Sequence, residues 1–417
     1  MGNLKLSFFL AYKSIIKGNR WTLLMIILVM SLSFANLILT PSLLSGVTYA
    51  INLQQIETLY ANIVISPAPD KSYLDHVSLI ENKLAGEPGL TGVAPHLNSS
   101  AFFEYNWIHN NSPQDKSQTG NWNVIGIDPE KEIEVTTLQN SLIAGNYLEP
   151  GDRDKIILGV EIAGGQQALT LSTLNLGGAQ VGEKVRLTFP NSIQREYTVK
   201  GIFKARSLNA NHLALITAKE MVSVMDSVMG QSIFSDRASQ ILVRTQPGVD
   251  ENQVISEIKM LGINGEVRSW REYGESMGGI VSSFDIIASI IGSIGLIVAG
   301  IVMFIVIYIN VVNRKRQIGI LRAIGVSRSV IFGSYLIQSF LYAILGIVIG
   351  GLLFGYALMP YFKSHPIDLS IGLVNLIINP ANVRNSVIGI LLAAVLAGVI
   401  PVVNITRHSI IKAIWGN

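Results

Sequence analysis

The sequence has no cysteine, which excludes disulfide frameworks, thiolate zinc sites and cysteine nucleophiles. Charge is scarce too. Asp, Glu, Lys and Arg make up 14% of residues against 49% hydrophobic, too apolar for an ordinary soluble chain and unlike a disordered one. Six scattered histidines give no metal-ligand spacing. There is no Gly-x-x-x-x-Gly-Lys-Ser/Thr phosphate loop, no Gly-x-Ser-x-Gly elbow, no His-Glu-x-x-His and no EF-hand loop. The chain is therefore expected to bind no cofactor or metal, to hydrolyse no ATP itself and to have no nucleic-acid partner.

What the chain does have is long apolar runs. Trp21 to Gln55 carries no charge, Ile280 to Val312 only Asp285, Ser329 to Phe362 none, and Val387 to Ile405 none. About 20 helical residues cross the roughly 30 Å of hydrocarbon, so four transmembrane helices are expected. The first run is too long for a usual signal-peptide core and no small-x-small cleavage site follows, so it reads as an uncleaved anchor.

Charge sets the orientation. Residues 1–20, 313–328 and 407–417 hold eleven cations and no acidic residue, whereas 41–279 holds 18 Lys and Arg against 26 Asp and Glu, a formal −8. By the bias of Lys and Arg toward the cytoplasm, both termini and the 313–328 link are cytoplasmic and the large insert is outside. The expected division is a cytoplasmic amphipathic helix over 1–20, the first span and a stalk over 21–56, and an extracytoplasmic domain over 57–279. Stalk and second span follow over 280–312, a cytoplasmic link over 313–328, the third span over 329–362, an external loop over 363–386, the fourth span over 387–406 and a cytoplasmic tail over 407–417. In the first helix Leu4, Phe8, Ala11 and Ile15 share one face, as in a helix lying at headgroup depth.

The insert reads as an α+β module. Ala61–Ser66, Asn123–Ile127, Lys155–Leu158 and Gln240–Arg244 have strand composition, and Tyr73–Leu84 and Glu251–Leu261 look helical. Lys184–Phe189 and Tyr197–Phe203 flank a polar turn at Pro190-Asn191-Ser192, which predicts a hairpin. A strand-helix-strand unit near each end hints at two similar halves around a middle piece.

Thirty-three residues from Ile280 to Val312 make a helix of about 50 Å, some 20 Å more than the hydrocarbon needs. That length places Asp285 beyond the outer boundary. It also suggests a stalk made with Pro41–Gln55. Leu43, Leu44, Val47, Ile51, Ile280, Val281, Phe284 and Ile287 would line it, facing either each other or an acyl chain. Small-xxx-small spacing at Gly346, Gly350 and Gly351, with Gly355 beyond, at Gly295 and Ala299, and at Ala394 and Gly398 marks close helix contacts, within one subunit or between two.

The link Asn313-Arg314-Lys315-Arg316-Gln317-Ile318-Gly319-Ile320-Leu321-Arg322-Ala323-Ile324-Gly325-Val326-Ser327-Arg328 predicts a short cationic amphipathic helix. A basic cluster followed by Ile-Gly-Ile-Leu-Arg-Ala-Ile-Gly between the second and third spans resembles the coupling segment of MacB, LolC and LolE, and FtsX-like (type VII) ABC permeases. In the insert, Val124-Ile125-Gly126-Ile127-Asp128-Pro129, Ala144-Gly145, Ile156-Ile157-Leu158-Gly159 and Val199-Lys200-Gly201-Ile202-Phe203 resemble the LolC and LolE outer domain. The tail, with Pro401, Ala413 and Ile414, is similar to the family's closing motif, though Ser409 stands where a second proline is common and Gln317 where an acidic residue often stands.

The resemblance implies a MacB-like permease fold in a bacterial cytoplasmic (inner) membrane. It implies a cytoplasmic ABC ATPase dimer carrying ATP and Mg, a second permease subunit, identical or paralogous, membrane lipids, and a periplasmic adaptor or carrier protein. Arg314, Ile318, Leu321, Arg322 and Ile324 would contact the ATPase. Three activities fit it: extraction of a lipophilic cargo such as a lipoprotein, efflux of a toxin, peptide or glycolipid through an adaptor and duct, or FtsX-like regulation of a cell-wall hydrolase. FtsX-like regulators usually carry a smaller insert.

Overall fold

A computed structural model describes residues 2–16, 20–107, 118–166, 168, 174–207, 209–226, 232–273, 275–369 and 372–407. The chain begins with α1 (Gly2–Ile16) and α2 (Arg20–Gln55), which runs into a π-helical turn at Ile56–Tyr60. Next come β1 (Ile63–Ser66), β2 (Leu74–Asp75), α3 (Val77–Leu84), β3 (Leu90–Tyr105), β4 (Gln118–Ile127), α4 (Pro129–Val135) and β5 (Leu142–Gly145). The insert continues with β6 (Lys155–Gly159), α5 (Val160–Ala163), β7 (Lys184–Thr188), β8 (Gln194–Phe203), β9 (Leu213–Thr217) and α6 (Ala218–Asp226). It closes with β10 (Arg237–Ala238), β11 (Gln240–Thr245), α7 (Glu251–Met260), β12 (Glu266–Ser269) and α8 (Trp270–Tyr273). The last elements are α9 (Glu275–Asn313), α10 (Lys315–Ala323), α11 (Arg328–Leu353), α12 (Met359–Ser364) and α13 (Pro380–Arg407). The chain divides into a membrane unit and an insert unit, with boundaries at Tyr49/Ala50 and Gly278/Gly279.

Among the described residues, four helices are long and apolar enough to cross a membrane: Leu23–Tyr60, Ile286–Asn313, Arg328–Ser364 and Pro380–Val399. The first continues through Pro41. A proline cannot donate to the carbonyl four residues back, so that of Leu37 is left over. The Ser386 hydroxyl lies 3.3 Å from it and 2.9 Å from the Asn382 carbonyl, a local remedy of the kind that lets proline stay inside a membrane helix. The fourth helix starts seven residues earlier than the apolar run suggests. Asn379 Oδ1 caps it by accepting from the Ala381 amide at 3.0 Å, with Pro380 in the first turn. Hydropathy missed that turn because Asn382, Arg384 and Asn385 are polar.

The glycine spacing in α11 serves contacts inside one chain. A Cβ on Gly346 would stand 2.5 Å from Met30 Cβ, and one on Gly350 would stand 2.5 Å from the Ser31 carbonyl oxygen. Gly398 meets Ser339 in the same way, and Gly389 meets Leu296. Gly355 faces open space and touches nothing. The face expected on α1 is divided: Ala11 is buried and Ile15 half-buried, while Leu4 and Phe8 are 75% and 53% exposed.

The insert unit has two lobes. In the first, the strand order β12-β1-β11-β3 is antiparallel throughout, with α3 and α7 packed on one face. This is the split βαβ arrangement. The two strand-helix-strand units expected from the sequence are β1-α3-β3 and β11-α7-β12. They interleave into one sheet and do not stand apart as separate halves. Ile63 and Ile65 face the helices, while Val64 joins Ala94, Leu242 and Val135 of α4 on the other face, so β1 is apolar at consecutive positions. The helix expected from Tyr73 begins only at Val77, because Leu74–Asp75 pairs with β10 and His76 takes a left-handed conformation, φ 56°.

In the second lobe β3, β4, β9, β6, β8 and β7 pair in turn, and β7 returns to β3, closing a six-stranded barrel. The 16-residue β3 belongs to both lobes: Leu90–His96 pairs with β11 and Leu97–Tyr105 with β4. Phe103, Trp122, Val124, Leu158, Leu187 and Tyr197 fill the barrel, the Phe103 and Trp122 rings meeting edge-on at 5.3 Å. The expected hairpin is β7-β8.

Two predictions follow from this packing. Gly346→Leu forces α2 and α11 apart and lowers the stability of the membrane unit by about 1–3 kcal/mol, read as a lower melting temperature in detergent. An unchanged melting temperature would contradict the contact. Second, burial pushes the tyrosine hydroxyls inside the insert upward: Tyr105, hydrogen-bonded to Glu183 at 2.6 Å, to about 12, and Tyr147 and Tyr197 strongly upward, with Glu132 and Glu220 adding to the respective shifts. Each is raised above its unfolded value of 10.0, so the stability these groups supply is complete below pH 10 and declines as pH climbs past it. Near-ultraviolet circular dichroism of the full chain should show tertiary structure intact up to about pH 10 and lost progressively beyond.

Candidate functional site

The short helix α10 connects two spans, and its ends are defined by its sequence. Gly325 takes φ 98°, which ends the helix. Its amide donates to the Arg322 carbonyl at 3.2 Å and the Val326 amide to the Leu321 carbonyl at 3.0 Å. These paired bonds form a Schellman motif, which needs a residue tolerant of positive φ at that position, so Ile-Gly in Ala-Ile-Gly is a stop signal.

The faces of α10 sort the expected contact residues. Ile318, 4% exposed, belongs to the same apolar cluster as Ile331 and Tyr335 of α11 and Met30 of α2. Leu321 and Arg322 are half-buried. Arg314, just ahead of the helix, reaches α1: its guanidinium donates to the Ser14 hydroxyl and, at 3.2 Å, to the Ser14 carbonyl. Within this chain Arg314 and Ile318 therefore hold the helix to the bundle, Ile318 by burial and Arg314, half-buried, by its bonds to Ser14. Ile324 is 72% exposed and Ile320 48%, and Arg316 is exposed one turn earlier, so residues 316, 320 and 324 form one outward stripe at i, i+4, i+8. Ile320 was missed because every second or third residue of this segment is apolar, and periodicity alone does not say which side faces the spans.

Behind α10 lies a cleft of about 360 Å³ bounded also by α1 and α11. Gln338 of α11 points its amide at the Ser14 hydroxyl (3.4 Å) and the Tyr342 hydroxyl (2.9 Å). The signal for this polar cluster was present in the sequence as a glutamine inside an otherwise apolar span.

The proposed stalk residues do not share one environment. Leu43 packs into the apolar cluster of the membrane unit, Leu44 and Val47 are half-buried, Ile51 is buried and Ile287 is 43% exposed. The side chains of Ile280, Val281, Phe284 and Asp285 lie outside the described residues, as do that of Pro401 and the whole segment with Ser409, Ala413 and Ile414.

The motifs in the insert turn out to be structural. A Cβ at Gly126 would stand 2.6 Å from Met221 Cβ of α6, and Asp128 caps α4 by accepting from the Glu130 amide, with Pro129 in the first turn. Where the lobes meet, a buried polar chain runs from Thr136 through Glu132 and His96 to Gln240 and Tyr273. The Glu132 carboxylate is 2.8 Å from Thr136 Oγ1 and 2.6 Å from His96 Nε2. Tyr273 donates to Gln240 Oε1 at 3.0 Å. These bonds tie β3, α4, β11 and α8 together.

Four apolar spans with an α+β insert between the first and second define a membrane permease architecture. A family model described as the MacB-like periplasmic core domain matches residues 23–261, more than half of the chain, and one described as the FtsX-like permease C-terminal matches 289–410. The chain belongs to the MacB/FtsX-type permease family of ABC transporters. The periplasmic region of MacB from Actinobacillus actinomycetemcomitans aligns at 12% identity and TM-score 0.37, covering 55% of this chain and 98% of that one. The extracellular domain of the noncanonic ABC-type transporter YknZ from Gram-positive bacteria aligns at 14% and 0.33, covering 50% and 97%. Among curated proteins, none matches in sequence. Permeases of this family work with a cytoplasmic ABC ATPase.

The burial difference is testable. Ile318→Asp places a carboxylate in the apolar cluster and costs several kcal/mol, on the order of a buried unpaired charge, so the purified chain should melt earlier. Ile324→Asp, in contrast, should leave stability within about 0.5 kcal/mol of the parent, as for other surface changes, and so barely move the melting temperature.

Proposed function

We propose that this chain is the permease subunit of an ABC transporter in which ATP is hydrolysed, with Mg, on a separate cytoplasmic ATPase dimer, and that movement of α10 drives the extracytoplasmic insert to extract or export a lipophilic cargo such as a lipoprotein. The observation that carries this reading is the two-sided α10, anchored through Arg314 and Ile318 and presenting Arg316, Ile320 and Ile324 outward. An apolar pair beside a cation suits a groove on a cytosolic protein. Leu321 and Arg322, half-buried at its edge, complete the contact.

Motion would reach the insert through the backbone, since α2 and α9 are unbroken helices of 36 and 39 residues, about 54 and 58 Å long. A rigid helix transmits displacement along its axis with little loss. A lipophilic cargo is supported by the apolar surface of α9, where Ile286, Ile290, Ile294 and Ile297 are each more than half exposed. The working unit includes a second permease subunit, identical or paralogous, in a bacterial inner membrane with both termini cytoplasmic. A periplasmic adaptor or carrier receives the cargo.

Placing carboxylates on the outward stripe tests the reading. The double substitution Ile320→Asp, Ile324→Asp should abolish copurification of the ATPase in mild detergent while the chain stays in the membrane and folded. Retained ATPase and unchanged export would remove the assignment. Mass spectrometry of material copurifying with the parent should find lipidated protein or lipid, and an adaptor with an outer-membrane duct instead would direct the reading to efflux.

A further inference from the structure

The cleft behind α10 has a composition that the coupling reading does not use. Its polar lining comes from three helical elements: Lys13 and Ser14 of α1, Arg314 and Gln317 at α10, and Tyr335 and Gln338 of α11. Two of these are cations, and none of the lining residues is acidic. Nor is there an Asp or Glu anywhere in residues 1–20 or 313–328. A guanidinium carries five N–H donors in a planar fork. Arg314 commits one to the Ser14 hydroxyl and one to the Ser14 carbonyl, which fixes the plane of the group and leaves donors for an anion. Buried Gln338, whose amide also reaches Ser14, holds that serine from the other side.

The depth of the cleft follows from α1. On the helix face opposite Leu10, Lys13 and Ser14, Leu4, Phe8 and Tyr12 are 75%, 53% and 57% exposed. A helix that shows large apolar side chains on one face and packs small ones, Ser7 and Ala11, on the other is built to lie at the boundary between acyl chains and headgroups. The cleft therefore opens where lipid phosphates are found. Basic pockets between helices at this level accept anionic headgroups.

We propose that the cleft between α1, α10 and α11 binds the phosphate of one anionic phospholipid, with Arg314 and Lys13 contacting the phosphate oxygens. The lipid then forms part of the anchor of α10, because the residue it contacts, Arg314, is also the residue that ties α10 to α1. This inference needs the membrane placement of the spans but not the ATPase assignment, so the two fail separately.

The test uses the full chain in nanodiscs of equal parts phosphatidylcholine and phosphatidylglycerol, followed by release into neutral detergent and native mass spectrometry. The parent should retain one phosphatidylglycerol per chain and no phosphatidylcholine. Arg314→Gln and Lys13→Gln should each lower that occupancy about fivefold, the factor matching ~1 kcal/mol per cation at an anionic surface. Lys5→Gln removes a cation of α1 that does not line the cleft and should leave occupancy unchanged. Three results would overturn the proposal: equal retention of both lipids, an equal loss in Lys5→Gln, which would mean a diffuse surface field, or displacement of the lipid by inorganic phosphate, which would mean a site for a soluble anion. Should Arg314→Gln fail to fold, Lys13→Gln decides alone, since Lys13 is exposed and its one contact among the described residues is a cation–π contact with Phe9 at 5.3 Å.

Discussion

The membrane unit depends on the close approach of α11 to α2 at Gly346 and Gly350. In water, burying apolar side chains would hold these helices together. In lipid it does not, because acyl chains are as apolar as leucine, and association rests on dispersion contacts that grow as the backbones draw near. Removing two Cβ atoms lets α11 lie against Met30, Ser31 and Phe34 at backbone distance. Ile318 and Tyr335 join the same apolar cluster, so the position of α10 follows from the glycine contact.

The stable seat of α10 explains its two faces. In the proposed coupling role, α10 would have to be fixed to the bundle on one side and reachable on the other. Ile318 and the Arg314–Ser14 bonds supply the fixed side, and the Gly325 stop leads through Val326 and Ser327 into α11 without a flexible linker. The exposed stripe is then small because little else of α10 is available. Its large apolar outward area comes from Ile320 and Ile324, beside exposed Arg316, while Ile318 faces the bundle.

Much of this architecture was legible in the residues. Long runs with almost no charge located the spans, and the strand alternation around Pro190-Asn191-Ser192 located the hairpin, since both patterns follow from local geometry. The failures have a common cause. The start of α13 at Pro380 depends on a cap and on a bond from Ser386 to another helix, and the break at His76 depends on pairing with β10, so neither shows in hydropathy. The interleaving of the two strand-helix-strand units is a property of sheet order, which no single strand encodes. In α10 the apolar pattern was correct but ambiguous: Ile318 and Ile320 are equally hydrophobic, and only packing against Ile331 and Tyr335 decides which one is buried.

The insert shows the same division between local and global constraint. Residues in the segments that carried the family resemblance are packing solutions: Gly126 admits Met221, Asp128 and Pro129 start α4, and α4 in turn delivers Glu132 to His96. A buried histidine–glutamate contact with satisfied neighbours contributes little net stability compared with an apolar pair, but separating its partners is expensive. Its place at the junction of the split-βαβ sheet and the barrel, on the strand common to both, means that bending the insert there would separate those partners.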